Sequence, residues 1–298
     1  MKLAGHTMST PENTVEEALR FFRELSLQGA EIVVQSDYKS GIPYEANDKA
    51  VQELRKLLDS LELEVSCLTP YYHDFNSLDE TVRKQEVDNL KRVIDMAVIL
   101  RAENIRVYGG ALTENETDED GQKLKQLVKS MRTCGDYAAS AKVQLAIENH
   151  FGTMTTTVKE TMKIIEAIDH PNVGVLYDQA NLAFFPAEEY YEAVPAQIKV
   201  MKYVHVKDLV YKDGAPKRLV ADAVAHISED IRTVVSKIPG DGILDWPAIL
   251  CCLRDNGYNG WLSLEYERRW GNQNLPIAGE GLPIAVKRLR QWMSEAGV

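Results

Sequence analysis

Hydrophobic positions along the chain follow two alternating patterns. Short runs of aliphatic and β-branched residues predict β-strands, and the longer stretches between them, apolar at every third or fourth position, predict amphipathic helices. Eight strand–helix units follow one another in this way. Eight units favour a closed (β/α)8 TIM barrel of the α/β class over an open doubly wound sheet. The predicted strands are Lys2–His6, Glu31–Gln35, Glu64–Leu68, Asn104–Tyr108, Val143–Glu148, Val173–Asp178, Lys202–Val206 and Trp261–Glu265.

The predicted helices alternate with these strands, and some carry start signals. Ser77 precedes the third helix as a candidate N-cap. Asp245 precedes the seventh helix, and Pro247 falls within its first turn, where proline is tolerated. The predicted helices are Val15–Leu27, Asp48–Ser60, Leu78–Leu100, Glu119–Ala141, Val158–Ile168, Ala187–Val200, Trp246–Asn256 and Leu282–Ala296.

One connection departs from this regular spacing. The stretch 209–243, after the seventh predicted strand, is polar and far longer than an ordinary loop between a strand and a helix. Long loops at the carboxyl end of barrel strands commonly build or cover the active site. The alternative is a surface excursion with a helix of its own at Ile227–Lys237. No Pro/Gly-rich linker interrupts the chain, so residues 1–298 are predicted to form one domain, with 209–243 as an extended loop within it.

Composition and charge exclude several classes of function. The 298 residues are 45% hydrophobic and 27% charged, as in an ordinary globular protein with a sizeable core. The net charge of -11 disfavours nucleic acid as a partner. No apolar run is long enough to span a membrane, and the opening residues do not resemble a secretion signal. The four cysteines lack the spacing of a disulfide framework or zinc ribbon, which favours a cytoplasmic location.

Four predicted strands in succession end in a side chain that can bind a metal ion. These are Glu148, Asp178, His205 and Glu265, at strands five to eight. Each alone is more often a helix N-cap, an ion-pair partner or a structural histidine. Four ionisable groups that follow apolar runs are costly to bury without a partner, and a shared cation would supply one. Carboxylates with one imidazole suit Mn²⁺, Mg²⁺, Co²⁺ or Zn²⁺.

The motifs around these residues resemble those of a known family. The segments AIENH, LYDQAN, YVHVKD and LSLEYE, which contain the four residues in turn, are similar to the signature of the xylose isomerase-like TIM-barrel family of sugar isomerases and epimerases. The resemblance implies that Glu148, Asp178, His205 and Glu265 hold one divalent cation, commonly manganese. It also implies that Glu148 and Glu265 move the proton, and that homo-oligomers are common.

Such a site predicts chemistry at the carbon next to a carbonyl group. A divalent cation that binds a carbonyl and an adjacent hydroxyl stabilises an enediolate and makes the neighbouring C–H more acidic. Return of the proton gives an isomerase or epimerase of a small sugar or keto-sugar, which is the leading hypothesis. Expulsion of a β-substituent gives a lyase or dehydratase on a keto-sugar or keto-polyol. A barrel that binds sugar without chemistry is the third hypothesis.

Other polar and aromatic residues near the strand ends are candidates for the substrate pocket. Each has an ordinary structural role as its alternative, such as an ion pair between Lys207 and Asp208. The aromatic group Phe184, Phe185, Tyr190 and Tyr191 is a candidate lid or subunit contact, or ordinary helix packing. The candidate substrate-binding residues are His6, Tyr108, His150, Asn181, Lys207 and Arg268.

Two branches of the family fit this sequence less well. Many of its ketose 3-epimerases have a histidine where this chain has Asn181, and an arginine beyond the strand-seven histidine, where this chain has Lys207 and Asp208. The endonuclease branch uses three metals and more histidines, whereas this chain has six in total. The substrate expected from the resemblance is therefore a small carbohydrate.

Overall fold

Eight parallel strands close into a barrel in the computed structural model of this protein, which confirms the predicted fold. The structure describes residues 1–113, 116–184, 188–215, 223–224, 227, 231–268 and 275–298. Going round the barrel, the strands are ordered β1, β10, β7, β6, β5, β4, β3 and β2. They are β1 (Lys2–His6), β2 (Gly29–Val34), β3 (Glu64–Pro70), β4 (Asn104–Val107), β5 (Gln144–Glu148), β6 (Val173–Tyr177), β7 (Met201–Val206) and β10 (Trp261–Leu264).

Helices follow the strands and cover the outside of the barrel. The N-cap predicted at Asp245 is present, and its carboxylate accepts a hydrogen bond from the amide of Ala248. The third helix begins at Glu80 because Asp79, not Ser77, caps it by accepting from the amides of Thr81 and Val82. The helices are α1 (Val15–Glu24), α2 (Asp48–Leu61), α3 (Glu80–Leu100), α4 (Gln122–Ala141), α5 (Val158–Ile168), α6 (Gln179–Leu182), α7 (Tyr190–Gln197), α8 (Trp246–Asp255) and α9 (Ala278–Ala296).

The long stretch after β7 contains a β-hairpin. Strand β8 (Asp208–Tyr211) pairs antiparallel with β9 (Val234–Lys237). The helix predicted at Ile227–Lys237 is therefore wrong at its carboxyl end, where β-branched residues such as Val234 and Val235 favour an extended ladder. Residues 228–230 of that prediction lie outside the described residues.

The return of this hairpin is fixed by one buried carboxylate. Asp208 accepts hydrogen bonds from the backbone amides of Leu209, Gly240, Gly242 and Leu244, at 2.9, 2.9, 3.1 and 3.2 Å. The backbone at Gly242 comes so close that a Cβ atom there would lie 2.0 Å from Asp208 Oδ1. One side chain at the end of the barrel thus joins both ends of the hairpin.

The alternation of side chains along each strand decides which residues enter the barrel. Inward positions near the middle are filled by a small hydrophobic cluster, which includes Ala146, Leu176, Tyr203 and Trp261. The neighbouring outward positions pack against the helices in the main hydrophobic core. Side chains two positions apart on a strand share a face. The ionisable residue that lies two or four positions after each of these inward residues therefore also points into the barrel. This places polar groups at the carboxyl-end mouth of the barrel.

No helix in the part of the chain that the structure describes is both long and apolar enough to cross a membrane.

Candidate active site

The four candidate metal ligands meet at the mouth of the barrel. Each of Glu148, Asp178, His205 and Glu265 offers one ligand atom, and these atoms all lie within 4.8 Å of one another. Three carboxylate oxygens surround Nδ1 of His205, with Glu265 Oε2 at 3.2 Å, Glu148 Oε1 at 3.3 Å and Asp178 Oδ2 at 3.6 Å. All four side chains are buried. Residues from four different strands thus converge on one point.

The donor set at this point fits a divalent cation. Asp178 Oδ2, His205 Nδ1 and Glu265 Oε2 are buried and make no hydrogen bond among the described residues, although the Lys207 ammonium group forms ion pairs with the two carboxylate oxygens. Buried polar atoms without hydrogen bonds are costly, and three carboxylate oxygens gathered round His205 Nδ1 carry more negative charge than Lys207 alone balances, which indicates that an ion completes the site. Carboxylate oxygens with one imidazole nitrogen are ligands that Mn²⁺, Mg²⁺, Co²⁺ and Zn²⁺ accept.

The electrostatics of the site favour positive charge at its centre. Burial would raise the pKa of Glu148, but neighbouring histidine and arginine side chains lower it to about 2. Burial would also raise the pKa of Glu265, yet the charges of His205 and Lys207 hold it well below its usual range. Conversely, burial alone would lower the pKa of His205, and the surrounding carboxylates raise it well above its ordinary value. The carboxylates therefore stay ionised and attract a cation.

Glu31 holds the far side of the His205 ring, and this role was not predicted from the sequence. Both Glu31 oxygens lie close to His205 Nε2, at 3.1 and 3.2 Å. Thr69 donates a hydrogen bond from Oγ1 to Glu31 Oε1, and His6 Nε2 lies 3.5 Å from the same oxygen. A proton on Nε2, held by Glu31, leaves the Nδ1 lone pair free to bind a metal. Glu31 is on β2, within a run that is typical of a continuous buried strand, so no separate signal in the sequence marks it.

Loss of the Glu31 charge is expected to weaken metal binding. In Glu31→Gln the side chain keeps its size, but the imidazole loses the carboxylate that makes it a stronger ligand. We expect about a tenfold to hundredfold higher Kd for Mn²⁺, measured by isothermal titration calorimetry. Thr69→Val, which removes only the hydrogen bond to Glu31, is the milder companion variant. An unchanged Kd in Glu31→Gln would contradict the assigned role.

Lys207 points into the same cluster. Its Nζ lies 2.9 Å from Glu265 Oε2, 3.0 Å from Asp178 Oδ2 and 3.4 Å from Glu267 Oε1. The alternative ion pair with Asp208 is not formed, because the Asp208 carboxylate accepts backbone amides instead. Burial would lower the pKa of Lys207, but these acids raise it well above its usual value. A buried ammonium group therefore stands beside the candidate metal ligands.

Asn181 and His6, two of the candidate substrate-binding residues, make hydrogen bonds within the protein at the site. The backbone amide of Asn181 donates a hydrogen bond to Asp178 Oδ1 at 2.9 Å, and the side-chain Nδ2 of Asn181 lies 3.3 Å from Glu148 Oε1. Both bonds orient carboxylates of the cluster. His6 is fully buried, and its Nδ1 accepts from the amide of Met8. Burial lowers the pKa of His6 to about 4.

The other candidate substrate residues divide between the pocket and the surface. Tyr108 and His150 line the pocket, and their rings pack edge to face with centroids 4.9 Å apart. Arg268 lies 3.0 Å from Glu12 in an ion pair and is not among the residues that line the pocket. This contact matches its alternative role as the neutralising partner of a nearby acid.

The hairpin and one aromatic residue of the predicted lid also line this pocket. Leu209, Val234 and Ser236 contribute from β8 and β9, together with Phe184. By contrast, Tyr191 on α7 is 58% exposed, and Phe185 lies outside the described residues. The stretch 209–243 thus takes part in building the pocket.

Comparison with known proteins agrees with this geometry. The family profile described as xylose isomerase-like TIM barrel matches residues 6–292. The chain belongs to this family. It is accordingly an enzyme of the sugar-processing TIM-barrel superfamily, and its buried Glu/Asp/His cluster matches the arrangement expected from that resemblance.

Proteins similar to this chain carry the names of different activities. Inosose dehydratase of Clostridium perfringens is 24% identical over 298 residues, covering 99% of this chain and 87% of the relative. Among solved structures, a D-tagatose 3-epimerase-like protein superposes with a TM-score of 0.76 at 18% identity, over 100% of this chain and 98% of the other. The IolI protein with a bound zinc atom also gives 0.76 at 18% identity, over 99% and 98%. These similarities support the fold and leave the reaction to be argued from the site.

Proposed function

We propose that this protein is a divalent-metal-dependent dehydratase of a keto-sugar or keto-polyol, and that Glu148, Asp178, His205 and Glu265 hold the ion. The observation that carries the proposal is the buried ammonium group of Lys207, 2.9 Å from the carboxylate of Glu265. Elimination of water needs both a base and an acid, and these two groups supply them side by side. The similarity to inosose dehydratase supports the same choice.

The cation, when bound, polarises the substrate carbonyl and an adjacent hydroxyl and so makes the neighbouring C–H bond more acidic. Mn²⁺ is the ion expected from the family resemblance. Side chains of the protein carry out every other step. Glu265 is the base and Lys207 is the acid.

The proposed proton transfers balance without another reactant. Glu265 removes the proton from the carbon next to the carbonyl, and the C–H electrons form a C=C bond as the bond to the β-hydroxyl breaks. Lys207 donates a proton to the departing hydroxide, which leaves as water. Glu265 then passes its proton to Lys207 over the 2.9 Å between them, and both groups return to their starting states. Since the two groups are neighbours, hydrogen and hydroxyl would leave from the same face.

Isomerisation or epimerisation is the second candidate function. Glu148 and Glu265 approach His205 Nδ1 from different strands, at 3.3 and 3.2 Å. Two carboxylates on opposite sides of a substrate carbon can remove a proton on one face and return it on the other. The sequence favours this function as the leading hypothesis, whereas Lys207 and the similarity to inosose dehydratase support elimination.

Product analysis in deuterated water separates these functions. The Mn²⁺-loaded protein is incubated with a panel of keto-sugars and keto-polyols, both neutral ones such as ketohexoses and inososes and ones that carry a carboxylate, and products are analysed by mass spectrometry and NMR. We expect loss of one water and appearance of an unsaturated ketone. A product that has lost no water and carries one carbon-bound deuterium would instead establish isomerisation or epimerisation. No exchange across the panel, with the metal bound, would favour a barrel that binds sugar without chemistry.

A further inference from the structure

Arg106 is a buried cation in the pocket that the proposed reaction does not use. It lies on β4 with only 2% of its surface exposed, beside Glu148, Tyr108 and His150 in the lining of the pocket. Its strand neighbours Ile105 and Val107 face the main core, so Arg106 faces the interior of the barrel. An arginine is rarely buried without a partner of opposite charge.

Two aromatic rings cover the guanidinium group of Arg106. Its central carbon lies 3.9 Å from the ring centroid of Tyr108 and 4.6 Å from that of Tyr71. Such stacking holds the planar group in one orientation. All N–H bonds of a guanidinium group lie in its plane. An acceptor must therefore approach within that plane.

Two of the three guanidinium nitrogens lack an acceptor in the part of the chain that the structure describes. Arg106 Nε and Nη1 are buried and find no hydrogen-bond acceptor within the described ranges. The one carboxylate paired with Arg106 in that part of the chain is Glu148, with Nε and Oε2 3.5 Å apart. Unmet donors on a buried cation are costly, so a ligand with acceptor oxygens would be favoured here.

Metal binding would increase the need for an anionic partner at Arg106. If a divalent cation also binds Glu148, that carboxylate no longer balances the charge of Arg106 alone. The guanidinium group would then lack a full counter-ion, and Lys207 would likewise share Asp178 and Glu265 with the cation. A planar anion with two oxygens would supply both the charge and the acceptors.

We propose that Arg106 binds a carboxylate group of the substrate, so that the substrate is an acidic keto-polyol rather than a neutral one. This inference rests on the proposed function only in calling the bound molecule a substrate. The anion site itself is formed by Arg106, Tyr71 and Tyr108 and does not depend on the reaction. The carboxylate lies at the Arg106 side of the pocket, while the reacting carbonyl lies at the Glu265 side.

Binding of two matched polyols tests the proposal without turnover. D-gluconate and D-glucitol differ only in a terminal carboxylate against a hydroxymethyl group, and neither has a ketone that could react. Affinities are measured by calorimetry on the Mn²⁺-loaded protein. We expect gluconate to bind about tenfold more tightly or better than glucitol. Equal affinities in the wild-type protein would overturn the proposal, whether or not any variant folds.

Variants of Arg106 then test whether this residue causes the preference for gluconate. Arg106→Gln should reduce the preference for gluconate to about twofold or less, and Arg106→Lys, which keeps the charge but not the planar fork, should be intermediate. Arg92→Gln is the matched control, because Arg92 pairs with Asp48 on the outside of the barrel at 2.7 Å. Since gluconate also binds free Mn²⁺, a preference that persists in Arg106→Gln would assign it to chelation and contradict the proposal.

The binding measurements and the dehydration assay together distinguish failure of this inference from failure of the proposed function. A gluconate preference that depends on Arg106, with no dehydration of any keto-polyol, would support the anion site and reject the dehydratase. Dehydration of neutral inososes with no gluconate preference would support the dehydratase and reject the anion site.

Discussion

Glu265→Gln is expected to lower kcat by about a hundredfold to ten-thousandfold, the usual cost of removing a general base. The substitution removes the candidate base and one charged ligand, and it leaves Lys207 without its nearest carboxylate at 2.9 Å. The fold should survive, because the side chain keeps its size at the mouth of the barrel. Turnover of the substrate found in the panel, together with circular dichroism, measures both expectations.

Glu265→Asp separates the two roles of this residue. The shorter side chain keeps the negative charge but withdraws the carboxylate from its position. If metal content stays near that of the wild-type protein while kcat falls steeply, the loss belongs to proton transfer. A loss of metal in parallel with activity would assign Glu265 to metal binding alone. Full activity in Glu265→Gln would contradict both roles.

Asp178→Asn is expected to remove most of the bound metal. The two oxygens of Asp178 have different tasks: Oδ1 accepts the amide of Asn181, and Oδ2 faces the cluster. Asparagine can keep the first contact through its carbonyl oxygen, and it then places an NH2 group where the cation would bind. Because substitutions outside the ligand set commonly cost about tenfold to hundredfold in metal affinity, we expect a larger loss here.

Elemental analysis after dialysis against a limited Mn²⁺ buffer measures this loss. Asn181→Ala provides the comparison, because it removes the contact to Glu148 Oε1 at 3.3 Å without changing a ligand. Its metal content should fall less than that of Asp178→Asn. Wild-type stoichiometry in Asp178→Asn would exclude Asp178 as an essential ligand.

Much of the barrel and the centre of the candidate site could be predicted from the sequence. Strand periodicity located all eight barrel strands, because parallel strands covered on both faces form distinct apolar runs. Glu148, Asp178, His205 and Glu265 were found because an ionisable residue after an apolar run is unusual. The alternation of side chains then decides that such residues share the interior of the barrel.

The parts that were missed depend on contacts between distant segments. Glu31 and Arg106 lie inside strands, where a charged residue gives no sign of whether its partner is a histidine, a carboxylate or a ligand. The strand at Val234–Lys237 was predicted as a helix because its pairing partner, Asp208–Tyr211, lies far back in the sequence. Closure of the barrel brings Glu31 to His205, whereas pairing within the separate two-stranded sheet makes Val234–Lys237 a strand.

The anchoring of the hairpin by Asp208 has a consequence for how this enzyme could diverge. One carboxylate binds the amides of Gly240, Gly242 and Leu244, while the adjacent Lys207 lies beside Asp178 and Glu265. Insertions, deletions and replacements between these fixed ends can therefore accumulate without displacing the ammonium group. Natural selection could exchange substrates through that segment and inherit the proposed acid and base unchanged.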